Sequence, residues 1–142
     1  MNNIFKKLIF IFLIFFSSYS YVYAQEQKIK IGLLVPLTGD NQDLGELIIK
    51  ASRMALKDIG VNKIEIFPKD TGSNPTQTLK SAYEFKEMGI NIVIGPVFYK
   101  SLTYLDEIKD ITFLSLTNKT INLPNNVISS GVNATSQINA IK

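Results

Sequence analysis

Four residues have side chains suited to holding a polar ligand: Tyr99, Ser101, Thr117 and Asn118. They fall just past two apolar runs that read as strands, where hydroxyl and amide groups can meet a solute. Their spacing also fits plain turn chemistry, with Ser101 as a helix N-cap and Asn118 in a turn. A second group is acidic. Asp106 and Asp110 stand four apart with Glu107 between them. A glycosidase would need two such acids across a cleft, whereas a solvated face beside Lys109 explains them more simply. Asp40 and Asp43 sit before a helical stretch, where an acid is welcome at the helix N-terminus. A third candidate, Gly95-Pro96-Val97-Phe98-Tyr99-Lys100-Ser101, has the outline of a phosphate loop. Tyr99 occupies the position before Lys100 that the motif reserves for glycine, and Pro96 removes one N–H from the cradle.

Composition narrows the chemistry further. The 142 residues include no His and no Cys. A Ser-His-Asp or Cys-His catalytic set is therefore excluded. So are a Cys/His zinc site, disulfides and Cys-ligated iron–sulfur clusters. The formal net charge is +3, and Lys6 and Lys7 lie in the N-terminal leader, so the remaining body is close to neutral. Nucleic-acid binding, which needs a clustered basic face, is not expected. Without His there is no side chain poised to titrate near neutral pH, and no enzyme activity or cofactor is expected.

Met1 to Ala24 reads as a secretory signal. Lys6 and Lys7 form the positive n-region, Leu8 to Phe16 the apolar h-region, and Val22-Tyr23-Ala24 the peptidase site, with cleavage expected before Gln25. An uncleaved anchor fits less well, because the apolar run is too short to span a bilayer. A lipid-modified N-terminal Cys is impossible. The body is expected to be periplasmic or secreted, touching the membrane only through the signal.

The body alternates between strand-like and helix-like patterns. Strands are expected over 28–35, 63–67, 90–94, 111–116 and 127–130. Helices are expected over 44–59, with an apolar stripe at 44, 47, 48, 51, 55 and 59, over 75–88, with Leu79, Ala82 and Tyr83 inward, and over 101–109, with Leu102, Leu105 and Ile108 inward. Gly60 and Gly89 mark helix stops and Pro75 a first helical residue. Thr135 is expected to begin a last helix. This alternation predicts an α/β fold: a three-layer arrangement of a parallel sheet with helices on both faces. Right-handed crossovers gather the loops 36–43, 70–74, 96–100 and 117–126 at one sheet edge. Two sequons, at Asn118 and Asn133, would matter only in a glycosylating pathway.

The order of several short motifs resembles type I periplasmic binding proteins. These are Ile29-Lys30-Ile31-Gly32-Leu33-Leu34-Val35-Pro36-Leu37-Thr38-Gly39, then Gly45, Asp70 with Asn74-Pro75, Val93-Ile94-Gly95-Pro96, and Ser115 with Thr117-Asn118. The leucine/isoleucine/valine-binding branch of ABC-transporter receptors is the nearest pattern. The resemblance runs over residues 28–142. It implies the N-terminal lobe of a two-lobed clamp, residues 25–142, with the second lobe beyond the sequence given.

In that family the clamp closes over a solute and delivers it to an inner-membrane ABC permease. Position by position, the resemblance places Val97, Phe98, Tyr99 and Ser101 along the cleft. Thr117 matches a threonine that holds a ligand amino group, with Asn118 beside it. Leu44 matches a position that abuts the ligand side chain. Tyr99 stands where the family usually has a small Ser, and Ser115-Leu116-Thr117 is shorter than the usual stretch. These departures suit a sister group with the same fold, the penicillin-binding-protein activators, which dock a cell-wall synthase. The simple signal favours a solute-binding receptor for an amino acid or similar small polar solute; the activator is the alternative.

Overall fold

The computed structural model describes residues 28–60, 62–132, 137, 138 and 140. The expected signal segment and most of the expected last helix lie outside them. Within the described residues the chain runs β1 (Ile29–Val35), α1 (Gln42–Ile59), β2 (Ile64–Asp70), α2 (Pro75–Glu87), β3 (Ile92–Ile94), two 3₁₀ turns (Tyr99–Leu102 and Leu105–Glu107), β4 (Thr112–Ser115) and β5 (Val127–Ser129). The five strands form one parallel sheet in the order β2-β1-β3-β4-β5. The expected α/β class and the direction of every strand are found.

Local chemistry sets the element ends. Asn74 caps α2 by accepting the Gln77 N–H at 2.8 Å, with Pro75 in the first turn. Gly60 ends α1 in the left-handed conformation, its N–H on the Lys57 carbonyl. β2 extends past the expected stop at Phe67 to Asp70. It carries Pro68 without penalty because β2 is an edge strand. Gly45 brings α1 against the end of β1: a Cβ there would lie 1.7 Å from the Pro36 carbonyl oxygen.

The expected helix over 101–109 is instead two 3₁₀ turns separated by Thr103 and Tyr104, the latter in the left-handed region at φ 75°. Leu102, Leu105 and Ile108 are nevertheless all buried. A spacing of three is the 3₁₀ repeat, in which such residues eclipse one another, so the inward set was right and the helix type was not.

The two faces of the sheet differ. α2 and the 3₁₀ turns cover one face. There Leu34, Phe85, Val93, Leu102, Leu105, Phe113 and Val127 form a continuous core. On the other face α1 packs over β1 and β2. Its inward residues are Gly45, Ile48, Ile49, Ser52 and Leu56, of which only Gly45 is fully buried. This corrects the expected stripe: Leu44, Leu47, Ala51, Ala55 and Ile59 are exposed. Helical rotation and the right-handed β1–α1–β2 crossover turn the flank of Leu44, Leu47 and Ala51 toward the β3 side. Beside it Ile92 and Ile128 are 45% and 55% exposed. On α2 the expected inward Tyr83 also faces outward, and Phe85 fills the core in its place.

Candidate functional site

Parallel strands place the loops 36–41, 71–74, 95–98 and 116–126 at the carboxyl edge of the sheet, where ligands of such folds bind. Asp70 organises the first half of this edge. One carboxylate oxygen accepts the Leu37 N–H at 2.7 Å and the Gly72 N–H at 2.8 Å. The other accepts the Thr38 hydroxyl at 2.7 Å. Burial works against ionisation of Asp70, but the Thr38 hydroxyl and the Gly72, Leu37 and Thr38 N–H groups outweigh it, so its pKa falls below the ordinary value. Asn41 donates to Ser73 at 3.2 Å, a second tie between the same loops.

Ser115 organises the second half. Its hydroxyl donates to the Pro96 carbonyl at 2.9 Å and accepts the Thr117 N–H at 3.3 Å. The Ser115 carbonyl accepts both the N–H and the hydroxyl of Ser130 at 2.8 Å. Ser129 donates its hydroxyl to the Thr117 carbonyl at 2.6 Å. Gly95 permits the close approach of β3 and β1 here, since a Cβ would lie 2.2 Å from the Leu34 carbonyl oxygen.

Tyr99 joins the loops after β3 and β4. Its hydroxyl donates to the Ile121 carbonyl at 3.2 Å, and the Lys119 ammonium sits 4.1 Å from the ring centroid.

The residues singled out from sequence therefore have different fates. Ser101 is fully buried, and among the described residues its hydroxyl has no hydrogen-bond partner. Thr117 is 6% exposed, and its hydroxyl accepts the Lys119 N–H at 3.3 Å. Val97, Phe98 and Tyr99 are half-buried along the edge, Asn118 is exposed, and Leu44 stands exposed on the first turn of α1. Val97, Phe98 and Tyr99 share one loop, and Tyr99 is bonded to the Thr117–Ile121 loop. Leu44 belongs to a separate element, α1.

Two structural residues were not among the expected site residues. Asp70 entered as a turn residue and as part of the family motif, although an acid ending a strand before Gly72 is also a signal for carboxylate-to-N–H bonding. Asn126 read as loop. Its amide nitrogen lies 2.9, 2.9 and 3.2 Å from the carbonyls of Leu105, Ile108 and Ile111, fastening the crossover to β5. Among the described residues no group of three His, Cys, Asp or Glu could hold a metal ion. No described helix is long and apolar enough to cross a membrane.

An α/β lobe with its long loops at the carboxyl edge of a 2-1-3-4-5 parallel sheet has the architecture of a binding-protein lobe. The family model for periplasmic binding proteins matches residues 28–141, and the chain belongs to that family. The penicillin-binding protein activator LpoA of Pasteurella multocida is 31% identical over 83 residues, covering 58% of this chain and 14% of that protein. The C-domain of LpoA from Haemophilus influenzae, described as a regulator of PBP1A, superposes with a TM-score of 0.59. It is 28% identical, with 72% of this chain and 32% of that one covered. The branched-chain amino acid binding protein LivJ of Streptococcus pneumoniae, solved with isoleucine, gives a TM-score of 0.63. It is 17% identical, with 72% of this chain and 33% of that one covered. The chain thus spans about one seventh of the length of its curated relative and about a third of these two solved chains.

Proposed function

We propose that this lobe belongs to an exported, non-catalytic regulator that docks a cell-wall synthase, the alternative reading of its sequence. The observation that carries the proposal is the Tyr99 strap. A solute entering between the loops after β3 and β4 would have to displace the Tyr99–Ile121 bond and the Lys119–ring contact. The Ser115 hydroxyl donates and accepts within the lobe, and the Thr117 hydroxyl accepts the Lys119 N–H. An edge tied across itself in this way offers a shaped surface rather than a solute cage. The 28–31% identity to LpoA, against 17% to LivJ, supports the same reading.

The test uses the full-length protein and a purified bifunctional penicillin-binding protein. The proposal predicts saturable binding and a faster rate of glycan polymerisation or crosslinking. Absence of binding together with an unchanged rate contradicts it.

A second reading, the ABC-transporter solute receptor, is supported by the likeness in fold to LivJ. In that reading Leu44, Val97, Phe98, Tyr99, Ser101, Thr117 and Asn118 line the cleft, an amino acid or similar solute is the ligand, and an inner-membrane permease is the partner. It requires Tyr99 to swing off Ile121 before a ligand enters. A rise in melting temperature with a branched-chain amino acid would support it.

A further inference from the structure

Beneath the Tyr99 strap, away from the Asp70 side of the edge, lies a hollow of about 380 Å³ between the 3₁₀ turns and the loop before β5. Its walls include Tyr99, Tyr104, Asp106, Asn122, Leu123 and Pro124, and no lining residue is basic. The volume is that of a small-molecule pocket. The lining combines two aromatic rings, apolar carbon and one carboxylate. Among the described residues Asp106 makes no ion pair, and its side chain is exposed.

The two walls share a backbone feature. Tyr104 and Asn122 both hold left-handed backbone, at φ 75° and 54°. Asparagine accepts that conformation readily, but a bulky residue such as tyrosine does so at a cost. Such costs gather where a side chain must be aimed at something. Tyr104 and Asp106 both line the hollow. The adjoining Tyr99 ring already carries the Lys119 ammonium, so one of these rings takes a cation within the protein itself.

We propose that this hollow is a seat for an organic cation, an ammonium or guanidinium head on an apolar stem. The rings supply the attraction of their electron-rich faces, Asp106 supplies the counter-charge, and Leu123 with Pro124 cover the stem. The same chemistry could come from a free organic ammonium or from a Lys or Arg side chain of a partner polypeptide. Lys119 competes, since its charge lies beside the seat.

The experiment is a titration of the full chain followed by backbone amide chemical shifts. The probes are choline chloride, Nα-acetyl-arginine amide and 3,3-dimethylbutan-1-ol, a neutral analogue of choline. A cationic probe is expected to shift the amides of Tyr104 and Asn122 more strongly than the neutral one. Choline alone acting identifies a free ammonium; the arginine amide alone acting identifies a partner side chain. Asp106→Asn should weaken binding by about fivefold or more, and Lys119→Gln should strengthen it by about twofold. Tyr104→Gly, which suits the left-handed backbone, should abolish the shifts while the melting temperature holds or rises. Equal affinity for the neutral analogue, no binding of either cation, or an indifferent Asp106→Asn variant would overturn the proposal.

Discussion

The two faces of the sheet are built from similar residues and end in different states. Under α2 and the 3₁₀ turns, Phe85, Phe113, Val93, Leu105 and Ile108 have no exposed surface at all. On the α1 face, Leu33 and Val35 are equally buried beneath the helix, yet Ile92, Leu116 and Ile128 beyond it are 45%, 36% and 55% exposed. Leu47 on the neighbouring flank of α1 is 62% exposed. Parallel strands are apolar on both sides because both sides are ordinarily covered. One face of this lobe is finished by the described residues and the other only over β1 and β2. Stability should therefore be concentrated on the finished face, while the open face should take up apolar probes.

The largest effect that could break this contrast is at Phe85. Phe85→Ala should cost about 3–5 kcal/mol, a large part of the stability of a small domain, read by denaturant unfolding. Asn126 should follow. Asn126→Ala removes the side-chain bonds to the carbonyls of Leu105, Ile108 and Ile111, of which the first two keep a backbone N–H partner, so a loss of about 1–3 kcal/mol is expected. Ile128→Ser on the open face should change stability by no more than about 0.5 kcal/mol. It should instead reduce binding of an apolar dye such as anilinonaphthalene sulfonate. A large stability loss from Ile128→Ser would show that the face is covered after all.

Asp70 tests the edge that both faces share. Its folded pKa is lowered below the ordinary value by hydrogen bonds that outweigh its burial. A lowered folded pKa contributes stability that is fully present above the unfolded value and is lost as pH falls through the folded one. Melting temperature should therefore drop on acidification below about pH 4, and Asp70→Asn should flatten that drop. An unchanged acid profile in the variant would mean that the loops after β1 and β2 are held by other contacts.

Much of the architecture was legible because it rests on local rules. Pro75 announced the start of α2, Gly60 the end of α1, and the short apolar runs gave all five strands. The inward face of α1 was misplaced because two of its flanks are apolar, and periodicity alone cannot say which one meets the sheet. The segment 101–109 was misread because a spacing of three serves both an α-helix and a 3₁₀ turn, and nothing local announced the left-handed Tyr104. The site was less legible than the fold. Ser101 and Thr117 have ligand-binding chemistry, but burial turns both inward, and burial is a tertiary property. Asp70 and Asn126 fasten segments 33 and 15 to 21 residues away in sequence, beyond the reach of a local pattern.

The central claim is that Tyr99 and its neighbours close the edge on itself, leaving a docking surface rather than a solute cage. Calorimetric titration of isoleucine into the full-length protein, beside its Tyr99→Ser variant, addresses it directly. The account predicts no binding heat with the unaltered protein. Micromolar binding by the unaltered protein that the Tyr99→Ser variant loses would contradict it.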